Sequence, residues 1–307
     1  MTKLFMMVGL PASGKSYQAN ILSKKHNAKI FSSDEYRSVL GSSEEDQTVT
    51  QHVFNKLISD IKLELKSNNA IFDATNINSK KRRNFLKEIS KLDCEKICVL
   101  VLRTYDNCLV ANSNRTRKVP KEVITRMYKS FETPYLEEGW DKIDVIYTDN
   151  DSNCFGYPHK FIEKYIDYNQ HNRHHRQTLG NHLQSTQDYI TDNFIEVDNN
   201  VELYLSACIH DCGKPFCKTF VNKRGLECSD AHYYGHENVG AYDSLFYNFY
   251  DQDVDKLLIS FLIANHMKPL TWLNSTKAEK RCEQNWGINK YNLIKMLHIA
   301  DTNSSRK

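Results

Sequence analysis

Two stretches of this chain carry residue types suited to phosphate chemistry. The first is Gly9-Leu-Pro-Ala-Ser13-Gly14-Lys15-Ser16, which satisfies GxxxxGK[ST] between an apolar run and a helical pattern. Backbone amides of such a loop point at phosphate oxygens, Lys15 adds a positive charge, and the Ser16 hydroxyl suits Mg2+. Gly9, Ser13, Gly14, Lys15 and Ser16 are therefore the expected grip on a nucleotide. A phosphate loop alone does not say where a phosphoryl group goes, so the acceptor side has to decide. Ser32-Ser33-Asp34-Glu35-Tyr36-Arg37 follows the second apolar run, placing Asp34 at the carboxyl end of a strand, where open α/β sheets bind ligands. Asp34 suits a general base toward a hydroxyl, and Arg37, one helical turn on, suits a substrate phosphate. An ordinary helix-capping aspartate beside a solvated arginine is the plainer alternative.

The second stretch is a set of scattered imidazoles and carboxylates. His182 is followed 28 residues later by His210-Asp211, then by His236, His266 and finally Asp301, each in or beside a helical pattern. Packed helices let such separated residues converge on one point. Mixed imidazole and carboxylate donors suit Mn, Fe, Co, Ni or Zn better than Mg or Ca. If both lie on a helix, His210 and Asp211 diverge by about 100°, so a metal would sit above their shared edge. A lone helical histidine is more often a core or surface residue, and only the ordered set argues otherwise. A thiolate site at Cys208 and Cys212 is a weaker alternative, since no CxxC pair accompanies them. His171-Asn-Arg173-His174-His175-Arg176 reads as a surface for approaching phosphate, with His175 the residue expected to reach the pocket.

Positioning these residues needs two kinds of architecture. Apolar runs at 3–8, 29–32, 70–72, 97–102 and 143–147 read as buried strands, while Val53, Leu57, Ile61 and Leu65 recur as on one helix face. Strands alternating with helices imply a mainly parallel sheet. The alternation stops near Tyr147, and the polar stretch Thr148 to Gly156 reads as a linker. Helical periodicity follows, at 254–266 and 291–300, with a possible hairpin around 216–226 turning at 222–225. Two domains are expected from 307 residues that are 40% apolar. Residues 1–150 hold 24 basic and 19 acidic side chains against 17 and 19 in the rest, and ten of twelve histidines lie beyond 150. Phosphate binding first and imidazole chemistry second fits that split. The nine cysteines match no disulfide framework and read as reduced thiols of a cytoplasmic protein, and nothing approaches a membrane span.

The loop, the strand-end Asp34-x-x-Arg37, Phe72-Asp73-Ala74-Thr75-Asn76 before Lys80-Lys-Arg-Arg83, and Arg115-Thr-Arg117-Lys-Val-Pro120 together resemble the 5′-hydroxyl polynucleotide kinases of phage RNA repair, over roughly residues 1–147. That resemblance implies Asp34 as general base, Arg115 as the lid arginine on the donor phosphates with Arg117 a second candidate, and Asp73 and Asn76 in the acceptor pocket. Lys80 to Arg83 either grip a strand backbone or are the wet face of a helix. The second half, with Asp211-Cys-Gly213-Lys214-Pro215 and Tyr234-Gly235-His236-Glu237, resembles the HD phosphohydrolase superfamily over about 158–307. The resemblance implies one metal on His182, His210, Asp211 and Asp301, a second using His236 and His266, and Lys214 neutralising the scissile phosphate.

Together these readings give an α/β P-loop kinase domain with a helical lid over 1–150 and a mainly α-helical HD domain over 157–307. The expected activities are transfer of the γ-phosphate of ATP or another NTP, with Mg2+, to 5′-hydroxyl ends, and removal of 3′-phosphate or 2′,3′-cyclic phosphate with one or two divalent transition metals. The partners expected are RNA or DNA ends, such as tRNA or other nicked RNA, with hand-off to an RNA ligase, no membrane, and host cytoplasm if phage-encoded. Phage enzymes of this type pair the kinase with an Asp-x-Asp phosphatase, which this chain lacks behind a strand end. The alternatives are a small-nucleoside or nucleotide kinase joined to an HD nucleotide phosphohydrolase, or to an HD module that senses a nucleotide.

Overall fold

The computed structural model describes residues 1–40, 50–149, 153–173, 176–249, 253–273 and 275–305. They fall into two units: Met1–Met127 with Pro134–Asn150, and Tyr128–Thr133 with Asp151–Lys307.

In the first unit, β1 (Thr2–Val8), α1 (Lys15–His26), β2 (Ala28–Ser32), α2 (Ser33–Leu40), α3 (Thr50–Glu64), β3 (Asn69–Asp73), α4 (Ser79–Glu88), β4 (Cys94–Leu102), α5 (Tyr105–Ser113), α6 (Lys121–Tyr128) and β5 (Lys142–Tyr147) follow in sequence. The strands form one parallel sheet in the order β2-β3-β1-β4-β5. A central parallel strand is covered on both faces, which is why Leu4 to Val8 are apolar without alternation and all buried. Phe5, Met7, Ile71, Ile97 and Val99 make one side of that core with Ala19 of α1. The sheet order puts the carboxyl ends of β1, β2 and β3 side by side, and those ends carry the phosphate loop, Asp34 and Asp73.

The basic run on α4 is neither a strand grip nor a wet face throughout. Lys80 and Lys81 are exposed, but Arg82 is 1% exposed. Its Nε and Nη2 donate to Glu138 at 2.8 and 2.6 Å, and its Nη1 donates to the Asn76 carbonyl at 2.9 Å. Trp140 Nε1 donates to the same carboxylate at 2.9 Å. The helix turns this one position inward, between the buried Phe85 and Leu86, so its charge is matched inside rather than hydrated.

The second unit contains α7 (Pro158–Lys164), α8 (Leu179–Phe194), α9 (Asn200–Ile209), α10 (Lys214–Cys217), β6 (Thr219–Val221), β7 (Glu227–His232), α11 (His236–Ser244), α12 (Lys256–Asn265), α13 (Thr276–Trp286) and α14 (Ile288–Ser305). Its core gathers Leu179 and Leu183 of α8, Ile209 of α9, Ala241 of α11, and Ile259 and Ile263 of α12. Asp255 starts α12 by accepting from Leu257 N and Leu258 N, and Ser275 starts α13 by accepting from Ala278 N. The hairpin lies later than expected. Phe216 belongs to α10, and the Asn222 side chain accepts from Arg224 N and Leu226 N, so the second strand begins only at Glu227.

Breaking the enclosed pair should be costly, because the remaining charge stays buried. Glu138→Gln is expected to lower unfolding free energy by about 3 kcal/mol, and Arg82→Met with Glu138→Met to recover much of it, in urea denaturation.

Candidate active sites

The first site is built by the loop between β1 and α1. Gly9 N donates to Thr75 O at 3.1 Å, tying the loop to the end of β3. A Cβ at Gly9 would sit 2.4 Å from Val101 O, so only glycine allows this approach. Gly14 enters α1 at φ 97°. Lys15 is 8% exposed and its ammonium donates to Leu10 O at 2.6 Å. Burial lowers its pKa to about 8, against the opposing pull of Asp73.

Ser16 Oγ donates to Asp73 Oδ2 at 2.7 Å. A hydroxyl from the loop and a carboxylate from the neighbouring strand end form the pair that holds Mg2+ in phosphate-loop enzymes. Asp73, expected in the acceptor pocket, does line the cavity, where burial raises its carboxyl above the usual range. Asn76, expected beside it, does not line the cavity: its amide donates to Met7 O at 2.9 Å and braces the loop.

A cavity of about 640 Å3 opens over this loop. Its lining carries six cations, Lys15, Arg37, Arg103, Arg115, Arg117 and Arg126, against the carboxylates of Asp34 and Asp73. Asp34 is partly exposed, and its two oxygens meet Arg37 Nη1 at 2.7 Å and Arg117 Nη1 at 2.8 Å. Both lid candidates line the cavity: Arg117 takes the acceptor-side aspartate, and the charge of Arg115 acts on Lys15 and Asp73. Arg103 and Thr148 escaped sequence reasoning. Arg103 Nη1 donates to Ala12 O at 3.0 Å, and Thr148 Oγ1 donates to Ser13 O at 2.9 Å. The available signal was their position just beyond the ends of β4 and β5.

The second site lies within the second unit. Asp211 is its shared member. Oδ2 lies 3.5 Å from both His182 Nε2 and His210 Nε2, while Oδ1 lies 3.1 Å from His236 Nε2 and 3.7 Å from His266 Nε2. Asp301 Oδ1 completes the first group at 3.1 Å from His182 Nε2 and 3.7 Å from His210 Nε2. All six sequence candidates therefore meet. The four histidines and Asp211 are buried. His210 and Asp211 do not share a helix: α9 stops at Ile209, and both lie in the turn before α10. Gly213 lets that turn press on the start of α11, since a Cβ there would sit 2.2 Å from His236 O.

Donor chemistry tests whether a cation fits. Nδ1 of His210, His236 and His266 bonds the carbonyls of Ala207, Tyr233 and Ile263 at 3.0, 2.8 and 2.7 Å. A carbonyl only accepts, so each Nδ1 carries a proton, which makes Nε2, on the cluster side, the nitrogen each ring can offer to a cation. Nε2 of His236 and His266 makes no hydrogen bond among the described residues. His182 Nε2 and His210 Nε2 lie 3.1 Å apart as a hydrogen-bonded pair, close enough for one cation to take the place of the proton they share. Burial, then His210 and His236, hold His266 down at about 3. For Asp211, burial alone would raise the carboxyl, yet Lys214, His210 and His236 hold it well below the usual range. The residues fit one or two divalent transition metals, with His182, His210, Asp211 and Asp301 as one ligand set and Asp211, His236 and His266 as the core of another.

Lys214 Nζ lies 2.6 Å from Asp211 Oδ2 and donates to Gln170 Oε1 at 2.7 Å. Cys208 and Cys212, the thiolate alternative, join neither ligand group among the described residues. Burial drives Cys208 up to about 12 and Cys212 well above its ordinary value, and their Sγ atoms donate to Gln187 Oε1 and Gly240 O. His175 lies outside the described residues.

The first unit is an α/β unit with a phosphate loop and five parallel strands flanked by helices. Residues 4–134 match the family model described as an AAA domain. The chain is similar to L-seryl-tRNA(Sec) kinase of Methanococcus maripaludis, 29% identical over 150 residues, 46% of this chain and 57% of that protein. It thus spans little more than half the length of that relative. Among solved structures it is similar to a presumptive kinase from Chloroflexus aurantiacus J-10-fl, at TM-score 0.41 and 14% identity, covering 48% of this chain and 89% of that one. A gluconokinase from Sinorhizobium meliloti 1021 gives TM-score 0.36 and 10% identity over 48% of this chain and 83% of that one. No helix among the described residues is long and apolar enough to cross a membrane.

Gly9→Ala is expected to displace the loop and weaken ATP binding by at least about tenfold in calorimetry, with the melting profile little changed.

Proposed function

We propose that the chain is a two-site enzyme that heals broken nucleic-acid ends, RNA foremost. The observation that carries the reading is that one cavity holds both the phosphate loop and the Asp34 carboxylate, within a predominantly cationic lining. Lys15 and the lid arginine Arg115 would bind the phosphates of an NTP donor, and Ser16 with Asp73 would hold its Mg2+. Asp34, steadied by Arg37 and Arg117, would take the proton of a 5′-hydroxyl as that oxygen bonds to the γ-phosphorus and the nucleoside diphosphate leaves. A large cationic cavity favours a polyanionic acceptor over a neutral small molecule. The relative's name concerns a seryl group carried on tRNA, which supports an RNA-borne hydroxyl as acceptor.

For the second unit, the reading is an HD-type phosphohydrolase that frees 3′ ends from phosphate or cyclic phosphate. Metals held by the six residues would supply Lewis acidity toward a phosphate ester. Lys214, enclosed and anchored on Asp211 and Gln170, would offset the charge of the reacting phosphate. A 5′-kinase and a 3′-phosphatase treat the two sides of one break, leaving ends that a ligase can join.

With ATP, Mg2+ and a 5′-hydroxyl oligoribonucleotide, the protein should transfer phosphate, and Lys15→Ala or Asp34→Asn should each lower the rate by about 100-fold or more. Absence of transfer by the parent would sink the kinase half. Oligonucleotides ending in 3′-phosphate, 2′-phosphate or 2′,3′-cyclic phosphate, given Mn, Co or Ni, test the second. Elemental analysis should find a transition metal in the parent and little in Asp211→Ala. Turnover of free nucleotides alone would instead make the second unit a nucleotide phosphohydrolase.

A further inference from the structure

Beside the histidine and aspartate cluster, the second unit has a surface that the proposed chemistry does not use. Loop 169–173 lies along β7: Ala231 N donates to His171 O at 2.7 Å, and Asn172 Nδ2 donates to Ala231 O at 2.9 Å. Lys218, between α10 and β6, fastens the loop by donating to Asn169 O at 2.8 Å and His171 Nδ1 at 2.9 Å. Aromatic rings and cations alternate over this surface. Lys218 lies 5.8 Å from the centre of the Phe220 ring, and Lys223 lies 5.3 Å from that of Tyr234. Phe220 is 42% exposed and Tyr234 36%. Of the acidic groups here, Asp230 already pairs with Arg173 at 3.2 Å, which leaves Lys218, Lys223 and Arg224 against Glu227.

The inner side of the same loop reaches the cluster. Gln170 is 1% exposed, accepts at its carbonyl from Tyr233 Oη, and accepts at Oε1 from Lys214. Its outer neighbours thus carry rings and charge while its own side chain touches the lysine on Asp211.

We propose that the hairpin β6–β7 and this loop hold the single-stranded nucleotides that precede a 3′-terminal phosphate. Bases stack on Phe220 and Tyr234, and backbone phosphates lie against Lys218, Lys223 and Arg224, as in grooves that bind single strands without regard to sequence. The inference rests on the second unit acting at nucleic-acid ends, and it adds how a strand is told from a free mononucleotide. A mononucleotide lacks the preceding bases and gains nothing from this face.

The test is fluorescence anisotropy with a labelled, 5′-phosphorylated oligoribonucleotide of about ten nucleotides, with EDTA present so that binding is read apart from catalysis. Phe220→Ala and the double variant Lys218→Ala/Lys223→Ala should each bind about tenfold more weakly, while Lys277→Ala on α13 matches the parent. In steady-state assays with metal, the same variants should raise KM for a 3′-phosphorylated oligonucleotide and leave hydrolysis of a 3′-mononucleotide unchanged. Unchanged strand affinity in Phe220→Ala overturns the proposal, as does an equal loss on mononucleotide and strand. A parent that binds no oligonucleotide also overturns it and points to a protein partner. If the parent hydrolyses no ester yet the variants still lose strand affinity, the hydrolase reading falls and the strand-binding face stands.

Discussion

The second unit depends on one carboxylate facing two ways. Asp211 turns one oxygen toward His182 and His210 and the other toward His236 and His266. Such an arrangement only works if the carboxylate cannot rotate and stays ionised in a dry interior. Lys214 secures both conditions at 2.6 Å, and Gln170 keeps that ammonium from being free to leave. Burial opposes the charge, but the surrounding cationic and imidazole groups outweigh it. Removing Lys214 or Asp211 would strand the other's charge, which is the most expensive kind of defect in a buried pair. The turn that carries Asp211 is short because Gly213 lets it rest directly on α11, so the backbone around the carboxylate has little room to relax.

The first unit solves a related problem with the opposite means. Its phosphate loop is held by Thr75, Arg103 and Thr148, with Asn76 bracing the end of β1 before it, while further cations gather in the cavity. The Arg82–Glu138 pair fixes the Asn76 carbonyl, so an enclosed charge that does not itself line the cavity helps set the segment that holds the loop. Asp73 and Ser16 meet because β3 lies next to β1 in the sheet, an adjacency that no local sequence feature contains.

Much of this was legible in the amino-acid sequence, for physical reasons that also explain the failures. Parallel strands covered on both faces leave continuous apolar runs, so all five were located to within a few residues of their ends. The six histidine and aspartate positions stood out as an ordered set, each in or beside a helical pattern, because packed helices let such separated residues converge. Whether His210 and Asp211 share a helix stayed open in the sequence, because periodicity cannot register over two residues that the chain leaves α9 at Ile209. Arg82 was invisible for a different reason: in a run of four cations, nothing distinguishes the one whose partner lies 56 residues away in sequence. Arg103 and Thr148 hold the loop through backbone carbonyls, and a carbonyl leaves no trace in residue identity.

The excursion of the chain at Tyr128–Thr133 bears on how the protein can be taken apart. Those six residues belong to the second unit, where Phe131 packs edge-on against Tyr242, Tyr128 donates to Asp243, and Thr133 shares a hydrogen bond with Ser260 at 2.7 Å. A recombinant fragment started at the polar stretch near residue 150 would therefore be missing part of its own interior, the Phe131 ring against Tyr242 and the Tyr128 hydroxyl on Asp243. Any dissection into halves has to supply that peptide in trans or graft it back.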